Sequence, residues 1–346
     1  MAEVKTLNDV SAEAYAKAGT WALKQFGVHH LSKSSGDSLL ECANKFHFKS
    51  RFRLAKPALM LGTICHGVLE HAADALTGFM EGKPLTWSDM TEFQKFLKEY
   101  EAYKDEVLGK LDLSRLLTDA ADNELMSIAA SQTEVLYPEG MTHSDLRNEI
   151  FATVETMAKS LTKEHLSKLL EHPVVGAELP VVYMPGEHKI PYLGYIDLLK
   201  IGPDGKLRIC DLKTTFSNNQ AIWSSMMTKF QLWLYGKSLV QMGVTPYMPE
   251  VEISRMIIDL GTRRKVKPSS YKITIERGVL PDIEQYDRQF EDVMKYAEKL
   301  VSGNVQIFAH SQYGCASCDY KAVCDRAVTS DDWKIEGKEA DDESSL

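Results

Sequence analysis

Apolar residues recur at helical spacing over most of the first half of the chain. This pattern predicts a first helix over residues 10–25, followed by a polar loop over residues 32–37. A second helix is predicted to begin at Ser38, and a third to follow Pro57 and Gly62. Residues 80–172 are predicted to be almost wholly helical, in helices over residues 86–109, 114–136 and 144–171.

The pattern changes to short strand-like runs from Glu178 onward. Three of these runs read GAELPVVYMPGE, HKIPYLGYIDLLKI and KLRICDLKTTF. The turn residues at 202–205 lie between the second and third runs, and this arrangement predicts a β-hairpin. The runs that follow predict a helix over 218–242, strands over 249–259 and 270–276, and a helix over 281–302.

Composition and charge limit the class of protein. A chain of 346 residues, 44% hydrophobic and 26% charged, is typical of a soluble globular protein with one large or two ordinary domains. Because no apolar run is long enough to span a membrane and the first residues lack an apolar signal core, we expect no membrane partner and a cytoplasmic location, or the host cytoplasm if the chain is phage-encoded. The net charge of −9 allows only local basic patches. Part of this charge lies in residues 336–346, which are predicted to be disordered.

The predicted hairpin carries charged residues where burial is expected. Asp197 lies in its first arm, and Asp211 and Lys213 share one face of its second arm. Buried charges are costly unless they are paired or hold a metal. Two interpretations are open for these three residues: a structural salt bridge at a sheet edge, or a divalent-metal site with a lysine beside it.

Two helices place polar residues four positions apart. His66 and Glu70 share a face of the third predicted helix, and Gln231 and Tyr235 share a face of the helix over 218–242. A histidine in such a position is either a ligand or a satisfied core or surface residue. The spacing alone leaves both interpretations open.

A basic stretch runs over residues 45–56, where positive residues are interleaved with aromatic ones. This composition suits a nucleic-acid backbone with bases to stack on, and it equally suits an amphipathic helix with aromatic residues in the core. A second basic group lies in the turn predicted over residues 261–267. The residues that we expect to bind nucleic acid are Lys45, Lys49, Arg51, Arg53, Arg263 and Arg264.

The cysteines follow a pattern that is typical of metal ligands. Three of them have the spacing C-x2-C-x5-C: Cys315, Cys318 and Cys324. A structural zinc ion requires four ligands and an iron–sulfur cluster requires four thiolates, and the spacing does not distinguish the two. Cys65 and Cys210 lie in an apolar helix and an apolar strand, so Cys42 is the expected fourth ligand.

These pieces together resemble the RecB-like branch of the PD-(D/E)xK nucleases. Within that branch they are similar to the iron–sulfur members, which include AddB-type nuclease domains and CRISPR-adaptation exonucleases. Seven motifs follow the family's order over residues 42–324, although Ile196 stands where the name-giving proline would be. The matching residues are Cys42, His66 in GTICHGVLE, Glu178 in AELP, Asp197 in GYIDLL, Asp211 and Lys213 in DLKTT, Gln231 and Tyr235 in QxxxY, and the closing Cys315, Cys318 and Cys324.

The resemblance implies an α/β fold with a restriction-endonuclease-like core, in which helices flank a central mixed sheet. A cysteine cluster is expected to join the N- and C-terminal parts. The implied organisation is an N-terminal extension over 1–37, a segment with the first cluster cysteine and the His-bearing helix over 38–79, a helical insertion or subdomain over 80–172, a nuclease core with the other cysteines over 173–326, and an acidic disordered tail over 327–346. The resemblance does not explain the length of the helical segment.

The resemblance also assigns a metal site. His66, Asp197, Asp211 and the backbone carbonyl of Leu212 are expected to bind Mg²⁺ or Mn²⁺, because these cations prefer oxygen ligands and manganese also accepts imidazole. A cation in this position holds the phosphate and activates water. Lys213 is expected to orient the attacking water and to stabilise charge in the transition state.

The remaining matched residues have supporting roles in the resemblance. Glu178 is expected to bind the metal directly or through water, and Gln231 and Tyr235 to steady the site and the nucleic-acid backbone. The four cysteines are expected to hold a [4Fe–4S] cluster as a structural staple, with zinc as the alternative.

We therefore expect a metal-dependent DNA exonuclease in recombination, repair or phage-type DNA metabolism. The alternatives are a structure-specific or spacer-processing endonuclease, and a non-catalytic, cluster-stapled DNA-binding module. Because the sequence has no P-loop, it carries no recognisable motor. The expected partners are DNA that is single-stranded or has frayed ends, and a helicase or single-strand annealing protein on another chain.

Overall fold

The structure is a computed structural model of the chain. It describes residues 7–26, 30–184, 186, 190–215, 226–259, 270–278, 283–301, 307–308, 315, 318–324 and 327–328. The predicted basic turn over 261–267, the start of the helix predicted at 218 and the acidic residues 336–346 lie outside these ranges.

Four helices precede the helical segment: α1 (Leu7–Phe26), α2 (Lys33–Glu41), α3 (Ala43–Arg51) and α4 (Pro57–Thr77). The loop predicted over 32–37 is instead the beginning of α2, because Ser32 and Ser35 form a capping box at its N-terminus. The single helix predicted from Ser38 is interrupted at Cys42, whose backbone is extended. The bend therefore places Cys42 at the junction of α2 and α3.

The helical segment contains a short 3-10 turn (Gly78–Met80) and four helices: α5 (Met90–Lys110), α6 (Leu113–Ala129), α7 (His143–Ala158) and α8 (Lys163–Leu169). The helix predicted over 144–171 is thus two helices, and Thr162 lies at the N-cap of the second. The end of the helix predicted over 114–136 is a strand, β2 (Glu134–Leu136). It pairs in parallel with β1 (Phe52–Leu54), which ties the segment to the residues before α4.

The main sheet contains β3 (Val174–Tyr183), β4 (Tyr192–Ile201), β5 (Leu207–Thr215), β6 (Glu250–Asp259) and β7 (Ser270–Gly278) in that spatial order. β5 and β6 are parallel, and the other neighbouring pairs are antiparallel. Helix α9 (Met226–Gln241) lies between β5 and β6 in the chain. Helix α10 (Ile283–Val301) and a small pair, β8 (Ile307–Phe308) with β9 (Ala327–Val328), follow.

Helices cover both faces of the main sheet. On one face, Leu198 and Cys210 share an apolar cluster with α4 and with the helical segment. On the other face, Leu199 and Ile209 pack with α9, and α10 packs against α9 around the buried Trp233. This arrangement confirms the predicted α/β architecture with a central mixed sheet flanked by helices. None of the helices in the described ranges combines the length and the apolarity needed to cross a membrane.

Candidate metal centre and active site

The site lies where strands β4 and β5 separate. Their ladder pairs Leu198 with Cys210 and continues from there to the turn, so the predicted hairpin is present. On the side of this pair away from the turn, the two strands no longer pair through their backbones. There the Leu212 N–H of β5 donates a hydrogen bond of 2.6 Å to Oδ2 of the Asp197 side chain.

The turn of this hairpin is held by the helical segment. Gly205 has a φ of +77°, a conformation that favours glycine, and its carbonyl accepts a hydrogen bond of 2.9 Å from the Trp87 N–H. A Cβ on Gly205 would lie 3.0 Å from the Trp87 carbonyl oxygen. Because Trp87 also stacks on Phe96 of α5, the helical segment fixes the turn end of the hairpin, which is the end opposite to Asp197 and Asp211.

His66, Glu178 and Asp197 form the one described group whose ligand atoms could hold a cation, all lying within 4.8 Å of one another. His66 comes from α4, which packs against β3 and β5. Glu178 lies between the pairs Ala177–Leu198 and Leu179–Ile196 of the β3–β4 ladder, and this places it beside Asp197. Its φ of +43° is unusual for glutamate and costs on the order of 1–3 kcal/mol, a strain that is typical of functional sites.

The electrostatics of this group indicate a shortage of positive charge. Burial, together with Asp197, Glu70 and Asp74, raises the pKa of Glu178 to about 8. Burial raises the pKa of Asp197 to about 6, although Lys213 and the Leu212 N–H oppose the rise. A cation at this point would stabilise the ionised form of each carboxylate.

Asp211 and Lys213 form an ion pair of 2.8 Å on β5, with the Asp211 side chain 1% exposed and that of Lys213 24% exposed. Burial raises the pKa of Asp211 to about 6 against the opposing effect of Lys213. The second oxygen of Asp211, Oδ2, is buried and has no hydrogen-bond partner among the described residues. The salt-bridge interpretation therefore holds for one oxygen of Asp211 and leaves the other for a further ligand.

His66 is held in an uncharged state at the same site. Burial and the charge of Lys213 lower the pKa of its imidazole, against the effects of Asp211 and of a hydrogen bond with the Leu212 backbone. A neutral imidazole is the form that binds metals. The Leu212 carbonyl, expected as a ligand, is thus adjacent to His66.

Gln231 and Tyr235 approach the site from α9. The Gln231 side-chain amide donates a hydrogen bond of 2.7 Å to the Tyr235 hydroxyl. The Tyr235 ring lies on β4 at Gly194, where a Cβ would be only 2.6 Å from the ring. Burial and Asp197 both raise the pKa of Tyr235, so its hydroxyl stays protonated.

Comparison with known families decides the assignment. The sequence model of the PD-(D/E)XK nuclease superfamily matches residues 30–325. The chain belongs to this superfamily. Membership agrees with the restriction-endonuclease-like sheet and supports nuclease activity. PD-(D/E)XK nucleases typically use divalent metals, and the group of His66, Glu178 and Asp197 is a possible site for one.

The comparisons with individual proteins add little to this assignment. A solved structure described as "Crystal structure of SSO0001" is 14% identical to the chain and covers 69% of this chain and 98% of its own, with a TM-score of 0.28. No curated protein matches the chain.

The four cysteines expected to bind a cluster are half-buried. The Asn44 side chain donates a hydrogen bond of 3.7 Å to the sulfur of Cys324. Burial raises the pKa of the Cys318 thiol, and the nearby Cys42 adds to the rise. Among the described residues, no three cysteine sulfurs lie within 4.8 Å of one another. Cys65 and Cys210 are 4% and 1% exposed, as expected of core residues.

The basic residues expected to bind nucleic acid have protein partners where the structure describes them. Arg53 pairs with Glu124 at 3.2 Å, and one nitrogen of Arg51 lies 3.4 Å from the His47 ring. Lys49 is exposed and Lys45 is half-buried. Arg263 and Arg264 lie outside the described residues. One aromatic residue of the stretch, Phe48, is 6% exposed and belongs to the core.

Two features of the site were not predicted from the sequence. Asp74 extends the face of α4 that carries His66 and Glu70, and it contributes to the raised pKa of Glu178. Its spacing of four residues from Glu70 is a signal that could have identified it. The second feature is Tyr195, an aromatic residue two positions before Asp197 that is 44% exposed, and no pattern in the sequence indicated its exposure.

Proposed function

We propose that this chain is a Mg²⁺- or Mn²⁺-dependent DNA exonuclease of the RecB-like branch, acting in recombination, repair or phage-type DNA metabolism. The observation that supports this most directly is the position of the Lys213–Asp211 ion pair beside the group of His66, Glu178 and Asp197. A binding module without catalysis has no use for a buried carboxylate–lysine pair next to a strained glutamate and a neutral imidazole.

The residues present fit a divalent cation. Mg²⁺ binds oxygen ligands at about 2.1 Å, which places ligands on opposite sides about 4.2 Å apart. The ligand atoms of His66, Glu178 and Asp197 lie within 4.8 Å of one another, so small side-chain adjustments suffice. Oδ2 of Asp211, which has no hydrogen-bond partner within the described part of the chain, would supply a further oxygen. When bound, the cation supplies a Lewis acid that holds phosphate oxygens and makes water a better nucleophile.

The side chains around this position have different proposed roles. The Lys213 ammonium is held by Asp211 and is partly exposed, so it can donate a hydrogen bond to water and can stabilise negative charge that develops on phosphate oxygens. His66 stays uncharged and therefore remains a ligand. Gln231 holds the Tyr235 hydroxyl, and the Tyr235 ring packs on Gly194. This contact fixes the position of β4 close to the site.

We further propose that the cysteines hold a [4Fe–4S] cluster rather than zinc. The thiolates would come from Cys42, Cys315, Cys318 and Cys324. The order and spacing of these cysteines resemble those of the iron–sulfur members of the RecB-like branch, and this resemblance favours a cluster over zinc. The role of the cluster is structural, because it would connect the α2–α3 junction with residues 315–324.

The proposed substrate is DNA that is single-stranded or has frayed ends. The chain carries no P-loop, so it has no recognisable means of separating a duplex by nucleotide hydrolysis. A helicase or a single-strand annealing protein on another chain would provide or receive such ends.

The test uses linear DNA labelled at either end and closed circular single-stranded DNA, with Mg²⁺ or Mn²⁺. We expect the wild type to degrade linear DNA and to leave closed circles intact, and we expect Asp211→Asn to be inactive on both. Cutting of closed circles would identify an endonuclease. Binding of DNA without cleavage of any substrate would identify the non-catalytic module and would contradict the proposal.

A further inference from the structure

An exposed aromatic side chain lies on β4 beside the proposed metal site. Tyr195 is two residues from Asp197, and 44% of its surface remains exposed. Two residues of a strand span about 7 Å. A group that rests on the Tyr195 ring would therefore be close to anything held by Asp197.

The Tyr195 ring is held in one orientation by residues from the N-terminal part of the chain. The Tyr15 ring of α1 lies with its centroid 5.0 Å away at an angle of 45°. The two side chains are hydrogen-bonded, and this bond adds to burial in raising the pKa of Tyr15. The His30 ring packs against Tyr15 at 5.8 Å. A ring fixed in this way loses little conformational entropy when a ligand stacks on it.

The two neighbours of Tyr195 on β4 face helix α9. The Tyr235 ring of α9 packs on Gly194, and Ile196 is fully buried. Because alternate side chains of a strand project from opposite faces, Tyr195 projects away from α9. The contact with α1 leaves nearly half of the Tyr195 residue exposed to solvent.

We propose that Tyr195 is a stacking platform for a base of a single-stranded DNA end, placed so that a neighbouring phosphate reaches the metal site. This inference rests on the proposed function, because it assumes that the substrate is DNA. Every base has a π-face, so stacking on tyrosine is independent of sequence. It also requires a base that is not stacked within a duplex, and Tyr195 would therefore select single-stranded or frayed ends.

The test measures stacking directly and does not require cleavage. Single-stranded oligonucleotides carry 2-aminopurine at successive positions from one end, and Ca²⁺ replaces Mg²⁺. We expect wild-type protein and Tyr195→Phe to quench the fluorescence at one position. We expect Tyr195→Leu to abolish this quenching and to weaken binding about five- to 150-fold. Tyr247→Leu is the matched control, because Tyr247 is similarly exposed at 38% but lies in the turn after α9.

Each outcome decides the inference. Equal quenching by the wild type and Tyr195→Leu overturns it, as does the absence of any quenched position in the wild type. If Tyr195→Leu fails to fold, an abasic residue at the quenched position replaces it. This residue should weaken binding to the wild type, and unchanged binding overturns the inference. Quenching by a protein that never cleaves DNA would preserve the platform and contradict only the nuclease proposal.

Discussion

At the scale of single residues, the site is defined by carboxyl groups that hold protons more tightly than usual. Glu178 is the extreme case, because burial and three neighbouring carboxylates raise its pKa to about 8 while Asp197 has a pKa of about 6. Metal ligands must be deprotonated, so we propose that cation binding by Glu178 at neutral pH displaces a proton from its carboxyl group.

This displacement predicts a pH-dependent metal affinity. We expect Mn²⁺ to bind with release of about one proton at pH 7, and affinity to rise with pH until it levels off above about pH 8. Calorimetry in two buffers of different ionisation enthalpy measures the released proton. Glu178→Gln is the control and should release almost none. Proton-neutral binding by the wild type at pH 7 would show that Glu178 is not part of the metal site.

Asp197, Asp211 and Lys213 could be singled out from the sequence, because charged residues inside apolar runs are costly to bury unless they are paired or hold a metal. The choice of a metal site over a salt bridge, and the role of His66 as a ligand, came from the family resemblance. The arrangement that the structure shows was not predictable in the same way. Glu178 belongs to the group that could hold a cation and Asp211 does not. No local sequence pattern indicates the positive φ of Glu178.

At the scale of elements, the contact between α9 and β4 depends on the absence of a side chain at Gly194. A Cβ at this position would lie 2.6 Å from the Tyr235 ring, a distance that the backbone of β4 or the ring must relieve. The same ring carries the hydroxyl that receives the Gln231 hydrogen bond. The strand and the helix are therefore coupled at the position next to Tyr195.

Gly194→Ala should therefore displace Tyr235 and disturb the site. We expect a loss of about 1–3 kcal/mol in the free energy of unfolding, as for other overpacked positions, and a lower rate of DNA cleavage. Gly109→Ala in α5 is the control, because nothing lies within 4 Å of its added Cβ. Urea denaturation of both variants measures the difference. Equal stability and equal activity of the two variants would contradict this coupling.

Element types were predicted better than element boundaries. The strands from β3 to β7 and the helices around them follow the hydrophobic pattern. This is expected, because the buried face of each helix or strand determines the spacing of its apolar residues. The break at Cys42 and the strand β2 did not follow it. Cys42 interrupts a continuous helical pattern, and β2 exists only because it can pair with β1, a partner about 80 positions earlier in the chain.

At the scale of the whole molecule, a buried ionic network connects the sheet to the helical segment. Lys200 pairs with Glu252 at 2.8 Å and donates a hydrogen bond of 2.6 Å to the Leu169 carbonyl of α8. Arg277 pairs with Glu252 at 2.7 Å and also with Glu171. Burial alone would raise the pKa of Glu252, but Lys200 and Arg277 lower it to about 2.

Removing the Glu252 charge should destabilise the fold at neutral pH. Glu252→Gln leaves Lys200 buried without a counter-charge, and we expect a loss of about 3 kcal/mol. Because the folded pKa is depressed, this contribution is complete above the unfolded value of roughly 4.3 and disappears as pH falls towards 2. Urea denaturation from pH 7 to pH 3 should show that the difference in the free energy of unfolding between the wild type and Glu252→Gln becomes smaller as the pH falls. A difference that does not change with pH would contradict the explanation by charge. The control is Glu155→Gln, which removes a carboxylate from an exposed ion pair.

The proposed cluster acts at the same scale, because it would join two ends of the chain. We expect anaerobically purified protein to be coloured and to contain about four irons per chain. Cys324→Ser should lose the iron and should become sensitive to proteolysis at both ends, whereas Cys65→Ser, outside the set, should keep the iron. A colourless protein with one zinc per chain would establish the zinc-stapled alternative.

We propose that Lys213 and the adjacent group of His66, Glu178 and Asp197 act in DNA hydrolysis. Single-turnover cleavage of end-labelled, linear single-stranded DNA in Mg²⁺ measures this activity. We predict that Lys213→Met cleaves about 100- to 1,000-fold more slowly than the wild type and that EDTA abolishes cleavage by either protein. Lys237→Met, which removes another ion-paired lysine from the nearby helix α9, should cleave at the wild-type rate. Cleavage by Lys213→Met at the wild-type rate would contradict the proposed role of Lys213 in DNA hydrolysis.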